Sequence, residues 1–124
     1  MQNKEKEILD KYKKYFNINS LYSLTVHALD CSDEFNSTNF LSNIIKVYGY
    51  SFEQPYDNIN NLLCLGRLND SRYFFYQLTM GSYPYFSRDY LTVYFSNNID
   101  TLLSHKSLKE NIEGLSIINS VQKL

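Results

Sequence analysis

Between Tyr73 and Phe95, ten of twenty-three residues are aromatic: Tyr73, Phe74, Phe75, Tyr76, Tyr83, Tyr85, Phe86, Tyr90, Tyr94 and Phe95. A strand buries only alternate residues, so a single sheet face cannot hide ten rings and both faces must be covered to bury them all. The run RYFFYQLTM places rings on both sides of one strand and therefore predicts a central position. NLLCLGRL before it and DYLTVYFS after it are β-rich, with breaks at Asn69-Asp70-Ser71 and at the Gly81/Pro84 loop. The three runs read as an antiparallel meander. In the last, Leu91, Val93 and Phe95 face a core while Tyr90, Thr92 and Tyr94 face away.

The flanks read as mainly helical. Ile8, Leu9, Tyr12, Tyr15 and Phe16 recur at helical spacing against Lys and Glu, which predicts a helix over 3–16. Residues 20–30 fit a helix capped by Ser20 or a strand through Tyr22, Leu24, Val26 and Ala28, and the helix is preferred. Ser37 caps a helix expected over 37–48, with Phe40, Leu41, Ile44, Ile45 and Tyr48 as its stripe and Gly49 as its left-handed stop. SFEQPYDN then reads as a surface loop around Pro55. Asn97 or Asn98 caps a helix from Ile99 to His105, and Ser107-Leu-Lys-Glu110 has the form of a capping box. Leu108, Ile112 and Leu115 mark the buried side of that last helix, while 114–124 is open between a continued helix, a last strand and a frayed end. The expected fold is α+β: one domain over 1–124, a small three- to four-stranded antiparallel sheet with helices packed around it.

Charge and composition narrow the function classes. Twelve basic and thirteen acidic side chains leave a formal charge of −1, which gives no global attraction to a polyanion. The start MQNKEKEILDKYKK is polar where a signal peptide needs an apolar run, so a cytoplasmic protein with reduced Cys31 and Cys64 is expected. Abundant Asn, Lys, Ile and Tyr with one Ala and no Trp is the set that AT-rich codons encode, as in a low-GC bacterium, its phages or its mobile elements.

Candidate chemistry is sparse. On a helix His27 and Cys31 would share a face, but no motif supplies an orienting group or an oxyanion pocket. Asp30, Cys31, Ser32, Asp33 and Glu34 lack the spacing and the glycine of a calcium loop, and the two His and two Cys lack zinc spacing. His27 and His105, with Arg72 or Arg88, would make an acid–base pair for RNA cleavage, without any spacing rule behind it. No cofactor, no metal and no catalytic residue is expected. The feature above background is the tyrosine cluster, so Tyr73, Tyr83, Tyr85, Phe86, Arg88, Tyr90 and Tyr94 are the candidate protein-binding residues. The expected partner is another protein, a nuclease or nucleic-acid-binding complex among the options, which the chain inhibits by blocking its surface. A phage or mobile-element anti-defence protein such as an anti-CRISPR, or a toxin-immunity protein, would act in this way. The alternatives are a single-stranded nucleic-acid module in which the rings stack on bases beside Arg67, Arg72 and Arg88, and a small nuclease.

Overall fold

The computed structural model describes residues 3–15, 22–36, 38–53, 60–80 and 89–120. Helix α1 (Asn3–Tyr15) is followed by β1 (Tyr22–Ala28), β2 (Ile44–Glu53), β3 (Asn60–Leu68), β4 (Tyr73–Met80), β5 (Asp89–Ser96), α2 (Ile99–Leu103), α3 (Lys109–Glu113) and β6 (Ser116–Ile117). The strands form one mixed sheet in the order β1-β5-β4-β3-β2-β6. Among the described strands only β1 and β5 run parallel. The α+β class and the β3–β4–β5 meander are as expected, but the three- to four-stranded antiparallel sheet is not: the described residues form six strands in a mixed sheet. Two segments expected to be helical supply the difference.

Residues 22–28 are a strand, because β5 offers a seven-residue parallel partner, from Tyr22 opposite Asp89 to Ala28 opposite Phe95. A short apolar run with both periodicities takes the form its long-range partner dictates. Ser37 lies outside the described residues, and residues 38–48 show a 3-10 turn at Leu41–Asn43 in place of the helix, after which β2 begins at Ile44. The register of β2 against β3 slips between Ile44 and Lys46 and again between Val47 and Gly49. The first bulge inserts a residue into the two-residue period, so Ile44 and Val47, three apart, are buried on one face while Tyr48 is buried on the other, and together they mimic the three-to-four spacing of a helix. Gly49 is no helix stop; it lies within β2 and pairs with Leu65 and Ile117.

Both sheet faces are covered, which is how the rings of β4 are hidden: Phe74 and Phe75, neighbours in sequence, are each 0% exposed. The first face carries Val47, Leu62, Cys64, Phe74, Tyr76, Leu78, Leu91, Val93 and Phe95 under Ile8 and Tyr12 of α1. The β1–β2 connection brings Phe35 and Phe40 onto the same face, and the Phe40 ring meets Phe74 at 5.3 Å and Tyr76 at 6.0 Å between centroids. A Cβ on Gly66 would stand 2.4 Å from the Lys46 carbonyl oxygen and 2.7 Å from the Phe74 ring, so only glycine lets that ring lie over β3. The second face places Tyr48, Leu63, Leu65 and Phe75 against Ile99 and Leu102 of α2 and against Leu108 and Leu115, which flank α3. Leu91, Val93 and Phe95 point into the first core, as their alternation predicts.

The C-terminal helices are shorter than expected. The Asn98 side chain accepts the Asp100 N–H at 3.0 Å and caps α2. Ser107 does not cap α3: Leu108 is the cap residue, and the Ser107 N–H is held at 3.3 Å by His105 Nδ1. After Gly114 the chain forms β6 on the edge of β2. No helix among the described residues is long and apolar enough to cross a membrane.

Candidate functional site

The seven candidate binding residues do not share one environment. Tyr73 is half-buried, stacked on Tyr48 at 6.2 Å and covered by the Arg67 guanidinium at 4.9 Å from its ring centroid. Tyr94 is also half-buried and packs against the second core. Tyr90 differs, standing 53% exposed. Tyr83, Tyr85, Phe86 and Arg88 lie outside the described residues, in the connection between Met80 and Asp89.

The register aligns the second face into rows. Ser23, Tyr90 and Thr79 form one row across β1, β5 and β4; Thr25, Thr92 and Gln77 form the next; His27, Tyr94 and Phe75 the third. Helix α2 and the residues flanking α3 close over Phe75 and Leu65. Thr25 and Tyr90 stay exposed, and Ser23, Gln77, Thr79 and Thr92 are half-buried. One end of this face is therefore helix-covered and apolar, while the other presents a tyrosine among hydroxyls and a carboxamide. The alternation in β5 announced Tyr90 and Thr92; Ser23 and Thr25 stayed hidden because the apolar residues of 20–30 fit helical spacing as well as a strand.

The histidines meet through Tyr94. The His27 ring stacks on it at 4.5 Å and the His105 ring leans against it at 5.4 Å. A phenol ring thus stands against both imidazoles, and His105 Nδ1 already accepts the Ser107 N–H. Cys31 lies three residues beyond the end of β1, so the shared helical face with His27 does not exist. Burial, with the Asp30 and Asp70 charges, pushes the Cys31 thiol above its ordinary 9.0, the reverse of what a nucleophile needs. Asp30 serves the fold: its carboxylate accepts from Ser96 Oγ and from the Asn97 N–H at 2.8 Å.

Arg72 is likewise committed. Its guanidinium donates to Asp70 at 2.9 Å and to the Ser32 carbonyl at 2.7 Å, and lies 4.2 Å over the Phe95 ring. It borders a recess of about 120 Å³ shared with Asn36, Asn39, Asn43, Asn69 and Asp70. The carboxamides there bond locally, Asn69 to Asn43 at 3.3 Å and Asn36 to the Thr38 N–H at 2.9 Å. Among the described residues no group of three or more His, Cys, Asp and Glu is placed to hold a metal ion. Comparison with family models, curated proteins and solved structures finds no match to this chain.

Proposed function

We propose that this is a non-enzymatic protein-binding protein that inhibits a partner by occupying its surface. The observation that supports the reading is the end of the second sheet face that no described helix covers, where exposed Tyr90 stands beside Thr25, Thr92, Thr79 and Gln77. A tyrosine ring buries a large area with little rotamer entropy to lose and keeps a hydroxyl for hydrogen bonding, which suits it to the centre of an interface. The surrounding hydroxyls and carboxamide supply donors and acceptors for a rim, on a rigid sheet that needs no reordering to bind. A standard interface takes ~800 Å² per partner, within reach of one face of a domain this size. The residue usage that AT-rich codons give fits a low-GC bacterial source, in whose cytoplasm the chain would act as a phage or mobile-element antagonist of a defence system, such as an anti-CRISPR, or as a toxin-immunity protein.

The test uses the tagged chain and its Tyr90→Asp variant as baits in nuclease-treated lysate of a low-GC bacterium, with mass spectrometry and absorbance at nucleic-acid wavelengths. A stoichiometric protein held by the wild type and lost by Tyr90→Asp, at unchanged thermal stability, is the expected result. Nucleic acid as the sole co-purifying species, or the same protein retained by Tyr90→Asp, would overturn the reading.

A further inference from the structure

The two edges of the sheet are finished differently. At the β2 edge, β6 pairs with Gly49 and Tyr50, the Ile118 N–H donates to the Tyr48 carbonyl at 2.9 Å, and the Asn119 side chain donates to the Val47 carbonyl at 2.7 Å. The Val47 N–H is taken by the Glu5 carboxylate at 2.8 Å. Bulges, a two-residue edge strand and polar side chains thus close that side, as soluble sheets do to avoid edge pairing.

At the other edge, β1 presents seven residues, and among the described residues no strand pairs with its outer side. Its sequence YSLTVHA holds no Lys, Arg, Asp, Glu or Pro, and its register against β5 runs without a slip. Charge, proline and bulge, three devices that protect an edge, are therefore missing from this strand.

The direction of the free groups follows from the ladder. The Leu29 N–H donates to the Phe95 carbonyl, and backbone groups alternate sides along a strand. Ser23, Thr25 and His27 therefore address β5, while the N–H and C=O of Tyr22, Leu24, Val26 and Ala28 point outward. Leu24 and Val26 also share the side-chain face of the first core, and Leu24 is 44% exposed.

We propose that β1 pairs antiparallel with β1 of a second copy about a two-fold axis through Thr25, joining two sheets edge to edge. Centring on Thr25, the middle of the strand, uses its full length and sets Leu24 of one copy opposite Val26 of the other, with Tyr22 opposite Ala28. Every opposed pair then consists of two outward-pointing residues, which exchange hydrogen bonds, or of two inward-pointing ones, which do not. Leu24 and Val26 meet on the face of the first core, and Thr25 meets Thr25 on the other, both favourable cross-strand pairs. With no charge in the strand and −1 per chain, little electrostatic repulsion opposes association. The inference rests on the backbone edge of β1 and not on Tyr90, although Thr25 belongs to both surfaces.

The experiment is sedimentation of the full chain across concentration, with two substitutions at Leu24, and oxidative cross-linking through cysteines at positions 23 and 25. An interface of one strand pair is below standard size, so a reversible dimer dissociating between ~10 µM and ~1 mM is expected. Leu24→Pro removes an N–H that β5 does not use and should raise the dissociation constant at least about tenfold, as should Leu24→Lys, with the monomer fold intact by circular dichroism. In a Cys31→Ser background, Thr25→Cys opposes itself at a Cα separation of about 4.5 Å, inside the roughly 4.4–6.8 Å range of disulfides. Mild oxidation should therefore cross-link Thr25→Cys and spare Ser23→Cys, which would face His27. A monomer at every concentration up to ~1 mM overturns the proposal and leaves the edge to a strand of another protein. A dimer indifferent to both Leu24 substitutions, or equal cross-linking through positions 23 and 25, overturns it as well.

Discussion

At the scale of single residues, two buried acids give the protein a pH signature. Tyr12 is 0% exposed, donates its hydroxyl to the Leu63 carbonyl and meets the Tyr76 ring edge-on at 5.1 Å. Burial, together with the nearby Cys64 and Tyr76, raises its phenol well above the ordinary 10.0. Burial pushes the free Cys64 thiol from 9.0 to about 12. Both groups stay neutral in the fold at a pH where the unfolded chain would already have ionised them. Their contribution is therefore complete below pH 9.0 and is lost as pH rises from there through about 12. Cys64→Ala should show a shallower fall in melting temperature across that window than the wild type, each referred to its own neutral value, and Tyr12→Phe should flatten the later part. Equal slopes for all three in pH-scanned thermal unfolding would contradict this. The burial of Leu91, Val93 and Phe95 was legible in the alternation of one strand. The crowding at Gly66 was not, since it depends on Lys46 and Phe74 from other strands.

At the scale of elements, α1 docks through residues spaced three and four apart, Glu5, Ile8 and Tyr12, all buried. The helix was legible because its polar face is solvated and its apolar face continuous. The role of Glu5 was not, since a carboxylate in a first turn is an ordinary dipole partner. Here it holds the Val47 N–H beside the second register slip of β2. Glu5→Ala would leave that buried amide without its acceptor and should destabilise the protein by ~1–3 kcal/mol, measured by urea unfolding at neutral pH. A loss within the few tenths expected of a surface site would show that α1 docks through Ile8 and Tyr12 alone. The same slips explain why 37–48 reads as a helix: a bulged strand and a helix space their buried residues alike over such a short stretch.

At the scale of the whole molecule, the order β1-β5-β4-β3-β2-β6 puts β4 near the middle with both faces covered and leaves β1 at an end. Amide exchange in dilute solution should follow that order, slowest at Phe74–Tyr76 and fastest at the outward Leu24 and Val26. Comparable protection of Leu24 and Phe75 in the dilute monomer would contradict the open edge. The α+β class, α1 and the meander were legible in the chain, and its aromatics left a choice between two covered faces and exposed rings, because those features rest on local periodicity and on the amount of surface to be hidden. Only the tertiary structure decided that 22–28 is a strand, that 44–53 is a bulged strand and that six strands form one mixed sheet. Those outcomes depend on partners distant in the chain, Tyr22–Ala28 against Asp89–Phe95 above all. It also decided which tyrosines face solvent: Tyr73, Tyr90 and Tyr94 differ little in their local sequence, and the placement of α2 and of the residues around α3 leaves Tyr90 exposed while the other two are packed.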